Sequence, residues 1–204
     1  MPAPDPKTTL HNYLNAARHA LLWKLEGLSD YDLRRPLTPT GTNLLGVLKH
    51  VASVELGYFT DVFGRPSGVP LPWFAEDSEP NADMWATADE SLESIVDLYH
   101  RVWRNSDATI AALDLDTAGH VPWWRTPEVT LQQILVHVIA ETHRHAGHMD
   151  ILREMEKTIE ECLGAWPPEL AAGRGGYYAV KAEEELHAFL VASLYRSVEG
   201  TLLA

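Results

Sequence analysis

The run His137-Val-Ile-Ala-Glu141-Thr-His143-Arg-His145-Ala-Gly-His148 puts four of the chain's ten histidines within twelve residues. On a helix, at ~100° per residue with Glu141 set to zero, His145 falls near +40°, His148 near −20° and His137 near −40°. Ile134, Val138 and Leu152 fall within roughly 60° of the same direction, so this face is expected to be buried, whereas His143 points to about 200° and is expected in solvent. A buried ionised carboxylate is costly unless it is paired or binds a metal. Glu141 and His145, four apart, are neighbours on a helix and can converge on one ion. Carboxylate and neutral imidazole together suit zinc, iron(II), nickel or manganese. Two histidines and one glutamate leave coordination positions open, as in a catalytic zinc site. One helix covers one side of an ion, so a third ligand is expected from a facing helix, and His50 is the candidate.

Plainer readings stand beside this one. Glu-x-x-x-His alone is usually a helix ion pair. His50 on its own reads as a core histidine bonded to a backbone carbonyl. His137 and His148 are expected to orient ligands rather than to be ligands. Trp123 and Trp124 read as core aromatics or, lying just before the histidine-bearing helix, as pocket lining. Cys162 is the only cysteine. It excludes a thiolate cluster and an intrachain disulfide, and it reads as structural.

These residues need elements to hold them. Leu10, Leu14, Ala17, Leu21 and Leu25 mark a first amphipathic helix, with Asp5 and Pro6 as cap and first turn. A second runs from about Asn43 to Phe63, with Gly64 as its stop and Leu44, Val47, Val51, Val54 and Tyr58 as its stripe. Thr87 and Glu90 form a capping box ahead of a third, to about Leu113, and Thr130 and Gln133 another ahead of the fourth, to Glu156 or beyond. Long loops, Gly64–Ala86 and Asp114–Val129, carry Trp73, Trp123, Trp124 and Arg125, and loops of such length are often functional. No strand pattern is visible. The pattern predicts an all-α, up-down four-helix bundle over 1–163. Residues 164–204 are expected to form a loop and a further C-terminal helix, Tyr178–Leu202, packing on the bundle or on a dimer partner.

The 204 residues are 46% hydrophobic and 22% charged, which excludes disorder. Sixteen Lys and Arg against 29 Asp and Glu give a formal charge of −13, which disfavours nucleic acid and anionic membranes. No apolar run approaches the roughly 20 residues of a membrane span. The start shows no secretory signal, so a cytoplasmic protein is expected.

Two stretches resemble a known family. Thr42-Asn-Leu-Leu-Gly-Val-Leu-Lys-His50-Val-Ala-Ser-Val-Glu55 resembles the second helix of the DinB/YfiT-like metalloenzyme superfamily, and Thr130 to Glu154 resembles its metal-bearing last helix. The resemblance spans about Leu10 to Met155. It implies a four-helix bundle, often dimeric, with a divalent metal held by His50, Glu141 and His145. Many members have His at the Glu141 position, and the Glu variant is similar to that of mycothiol-dependent maleylpyruvate isomerases. The isomerases' extra C-terminal domain has no counterpart in the forty residues after Leu163, which argues against that activity. His148, where many members carry Gln, is expected to face the same cavity as a catalytic or substrate-contacting residue. Trp73, Trp123, Trp124 and Arg125 are the candidates for substrate binding. The implied activity is transfer of a low-molecular-weight thiol, mycothiol or bacillithiol, to a small electrophile, with zinc as the foremost ion and a homodimer as the expected assembly. A metal-dependent hydrolase using bound water and a non-catalytic stress-response or binding protein are the alternatives.

Overall fold

The computed structural model describes residues 5–38, 41–87 and 89–164. Each long helix begins where a side chain satisfies its free N–H groups. In α1 (Pro6–Trp23) the Asp5 carboxylate accepts from the Thr8 amide at 2.8 Å, with Pro6 opening the first turn. Asn43 caps α3 (Leu44–Phe59), its side chain accepting from the Gly46 amide at 2.8 Å. Between them lies a five-residue helix, α2 (Asp30–Arg34), in the expected linker; it is too short to show a periodicity.

α3 ends at Phe59 rather than Phe63, because the last residues tighten into a 3-10 turn, Asp61–Phe63, which Gly64 closes at φ 59°. α4 (Leu92–Ala112) is capped by Ser91 rather than Thr87. Glu90 still accepts from the Thr87 amide at 2.7 Å, as a capping box requires, but ahead of the helix. For α5 (Leu131–Gly164) the box is reciprocal: Gln133 Oε1 accepts from the Thr130 amide at 2.8 Å, and Thr130 Oγ1 accepts from the Gln133 amide at 3.3 Å.

Two three-residue strands, β1 (Ala118–His120) and β2 (Glu128–Thr130), correct the expectation of no strand. They pair antiparallel with Gly119 opposite Val129, and three residues are too few to show a period of two. A Cβ at Gly119 would lie 2.7 Å from Phe63 Cε1, so a larger residue there would have to displace the Phe63 and Val62 side chains at the end of the 3-10 turn.

One apolar cluster draws on all four long helices and the hairpin: Leu14, Tyr58, Phe59, Ile110, Val121, Val129, Ile134 and Val138 belong to it. The stripes read from α1 and α5 are the buried ones, but α3 is buried almost all round, including Lys49, Ser53 and Glu55 off its apolar stripe. The charges there are paired. Arg18 grips Glu55 with two donors, Nε at 3.2 Å and Nη2, and reaches Asp107 at 2.8 Å. Lys49 donates to Glu90 at 2.9 Å. The chain divides into two units, Met1–Glu154 and Met155–Ala204. Of the second unit only the end of α5 is described, so the expected helix Tyr178–Leu202 lies outside the described residues. Among the described residues no helix is long and apolar enough to cross a membrane.

Candidate metal centre

His50 of α3 and His145 of α5 meet across the bundle, ring centroids 4.8 Å apart and planes at 60°. His145 is 8% exposed; its Nδ1 is buried without a hydrogen-bond partner, and its Nε2 lies 3.9 Å from Glu141 Oε2. Burial first, then the neighbouring His50, His148 and Arg144 charges, lower its pKa to about 4, so the imidazole is neutral at pH 7 with a lone pair to offer. Glu141 is only half-buried and pairs with Arg144 on the solvent side. His148 is exposed, its ring 5.1 Å from that of His145 and nearly perpendicular to it.

The wheel was expected to aim one carboxylate and up to three imidazoles into the interior. Of these only His145 is buried, because periodicity gives direction around a helix axis but not depth beneath neighbouring elements. His143 is in solvent as expected.

These residues suit a divalent ion: a buried neutral imidazole with an unpartnered nitrogen faces a second imidazole from another helix, beside a carboxylate. The His145 nitrogen nearest Glu141 is Nε2, 3.9 Å from Oε2, while the unpartnered one is Nδ1. Among the described residues no three His, Cys, Asp or Glu side chains are gathered round one point. Glu141 pairs instead with Arg144.

One residue at this site had no mark in the sequence. His50 Nδ1 donates to Asp83 Oδ2 at 2.6 Å, a carboxylate rather than the backbone carbonyl expected. Asp83 sits on a 3-10 turn, Ala82–Met84, entered through Asn81 at φ 59°. It is one acid among several in a long loop, Glu76, Asp77 and Glu79 among them, and nothing local sets it apart.

The aromatic candidates fall in two places. At the hairpin, Trp124 Nε1 donates to Tyr58 Oη at 3.2 Å, and the His137 ring lies 4.8 Å from Tyr58 and 4.7 Å from Trp124. Burial lowers the pKa of His137 against the opposing pull of Glu141, so it too is a neutral ring, one turn before Glu141 on α5. Trp123 is 64% exposed, which removes it from the core, and Arg125 is exposed beside it. An open groove of about 620 Å³, lined by Gln133, Val136, His137 and Ala140 among others, runs past His137. Trp73 is apart from these, its Nε1 donating to Ser53 Oγ on α3 at 2.9 Å.

Two solved structures share this fold. A conserved protein from Enterococcus faecalis is 16% identical, over 76% of this chain and 99% of its own, at a TM-score of 0.56. YfiT from Bacillus subtilis, a probable metal-dependent hydrolase with an unusual four-helix bundle topology, is 19% identical over 76% of this chain and 91% of its own, at 0.54. At such identities the likeness shows the fold alone, a four-helix bundle like that of YfiT. No curated protein matches this chain. The sequence model of the family MST, mycothiol-S-transferase, matches residues 9–157, from the first turn of α1 through the whole histidine run of α5. A match across the bundle and both halves of the candidate centre makes the chain a member of the mycothiol-S-transferase family.

Proposed function

We propose that the protein is a cytoplasmic, divalent-metal-dependent enzyme that transfers a low-molecular-weight thiol of the mycothiol type to a small electrophile, with His50, Glu141 and His145 as the metal ligands. The observation that carries this reading is the neutral, buried His145, its Nδ1 unpartnered and its ring 4.8 Å from that of His50. The family match supports the choice of thiol, with bacillithiol the alternative, and the donor set suits zinc foremost, then nickel, iron or manganese.

A divalent cation at these residues supplies positive charge that lowers the pKa of an incoming thiol, so that thiolate is available at neutral pH. The protein's own side chains do the rest. Arg144 holds Glu141 at the rim, where its carboxylate can turn to the ion. His148, exposed beside His145, takes up the thiol proton and passes it to solvent. Trp123 offers an exposed aromatic face to an apolar electrophile, Trp124 and Tyr58 hold that face in place, Trp73 bounds the site along α3, and Arg125 supplies a charge for an anionic substituent. No cysteine lies in the motif, in keeping with an external thiol.

Hydrolysis through water on the same ligands is the second reading, favoured by the likeness to YfiT. A homodimer, the assembly that the family resemblance implies, completes the proposal.

The test is metal content by mass spectrometry of purified wild type and His145→Ala, followed by turnover of a panel of electrophiles with and without mycothiol. Near-stoichiometric metal that His145→Ala loses, with turnover that requires the thiol, is the expected result. Turnover without thiol selects the hydrolase. No metal in the wild type after incubation with excess zinc, nickel or iron(II) overturns the enzyme reading.

A further inference from the structure

The loop between Gly64 and Glu90 does more than connect α3 to α4: it is fastened to one face of α3 at four successive points. Gly46, Lys49, His50 and Ser53 are spaced i, i+3, i+4 and i+7, so they form a single helical stripe, and none of them is aliphatic. Each takes hold of the loop. Ser53 Oγ accepts from Trp73 Nε1 at 2.9 Å. His50 Nδ1 donates to Asp83 at 2.6 Å. Lys49 Nζ donates to the Trp85 carbonyl at 3.0 Å and to Glu90, and lies 4.2 Å from the centre of the Trp73 ring.

Gly46 accepts the loop's backbone itself. A Cβ there would stand 2.6 Å from the Met84 carbonyl carbon and 3.0 Å from Trp85 Cα, and closer still to the Met84 carbonyl oxygen. These are backbone atoms, which cannot swing aside as a side chain can. The far end of the loop is held from α2, where Arg34 donates to the Thr87 carbonyl at 2.8 Å and the Glu90 carbonyl at 2.5 Å.

Asp83, Met84 and Trp85 are consecutive, and they meet His50, Gly46 and Lys49 respectively. The anchors on Met84 and Trp85, at Gly46 and Lys49, therefore help fix where the Asp83 carboxylate stands. An ionised carboxylate only accepts hydrogen bonds, so a proton of His50 is held on Nδ1, and in the neutral ring the lone pair is then on Nε2. A histidine held this way is pre-set as a ligand through Nε2: its tautomer and ring orientation are chosen before any ion arrives.

We propose that Asp83 is a positioning residue that fixes the Nδ1–H tautomer of His50, and that Gly46 and Lys49 form the seat that holds Asp83 in place. This rests on the reading of His50 as a metal ligand, but the tautomer belongs to the metal-free protein and can be observed there.

The experiment records long-range ¹H–¹⁵N spectra of the histidine side chains in chelator-treated protein, with His50 assigned by its absence in His50→Gln. The wild type is expected to show His50 as the Nδ1–H tautomer with a strongly hydrogen-bonded proton, and Asp83→Ala and Gly46→Ala are both expected to lose it. Asp83→Ala alters a loop side chain and keeps the test open if Gly46→Ala fails to fold. A Gly46→Ser variant, with a like clash, is expected to behave as Gly46→Ala does. Zinc affinity, by competition with a chromophoric chelator, is expected to fall about 10- to 100-fold in Asp83→Ala and in each folded Gly46 variant. A wild-type His50 protonated on Nε2, or a tautomer unchanged in Asp83→Ala, overturns the proposal. A folded Gly46→Ala that keeps both tautomer and zinc affinity overturns the role of the seat. A wild type that shows the tautomer yet binds no zinc upholds the positioning and sinks the metal reading instead, so the two failures are distinct.

Discussion

Two polar clusters lie inside this bundle, and they are built on opposite terms. Between α1, α3 and α4, Arg18 and Glu55 are both fully buried, doubly bonded to each other, and tied on to Asn15 and Asp107. Burial alone would lower the Arg18 pKa, but Glu55 outweighs it and the guanidinium is held more firmly charged. Between α3 and α5, His145 is nearly as deep, yet Nδ1 has no partner and its pKa is driven down rather than matched by a counter-charge. A polar group whose partners are all supplied by its own chain serves the architecture. One left neutral with a free nitrogen is available to a ligand.

Substitution should separate the two clusters. Arg18→Met leaves Glu55 buried and uncompensated, and is expected to cost about 3–5 kcal/mol in denaturant unfolding, with most of it restored by adding Glu55→Leu. An Arg18→Met protein of unchanged stability would erase the contrast. His145→Gln is expected to weaken divalent-ion binding about 100-fold or more, as read by chelator competition, while changing metal-free stability by only about 1 kcal/mol, since no hydrogen bond is lost.

The same contrast has a pH signature. The His145 pKa is about 4 folded, against about 6.5 in an unfolded chain, so between those values the unfolded state binds a proton that the folded state refuses. Its contribution is present in full above about pH 6.5 and is lost as the pH falls towards 4. Urea midpoints of the metal-free protein should therefore fall with acidification over that range, and His145→Gln should flatten that part of the curve.

Smaller effects refine the comparison. Thr130→Ala removes one half of the capping box that starts α5 and should cost about 1 kcal/mol, seen as a lower thermal midpoint. Trp123→Ala, at an exposed site, should leave stability within about 0.5 kcal/mol while raising KM several-fold for apolar electrophiles. Unchanged KM would remove Trp123 from the substrate site.

Much of this was legible beforehand wherever the controlling interaction is local. The Asp5 cap, the Asn43 cap and the Thr130–Gln133 box depend on atoms within a turn of one another and stand where the residue types put them, whereas Gly64, expected to stop α3, closes the 3-10 turn that follows it. The stripes of α1 and α5 follow from a fixed angle per residue. α2 and the hairpin left no trace because three to five residues carry no measurable period.

Within the candidate site, the spacing from Glu141 to His145 to His148 is a property of one helix, so the chain alone determined that these side chains share a side. Tertiary packing decided the rest. It buried His145 and left His148 in water, brought the His50 ring to 4.8 Å from it, and turned Trp123 outward. It also placed Asp83, 33 residues from His50 in sequence, at hydrogen-bond distance, with the loop backbone seated on Gly46. Periodicity fixes angle around an axis, whereas depth and long-range pairing depend on which elements cover which faces, and only the folded chain settles that.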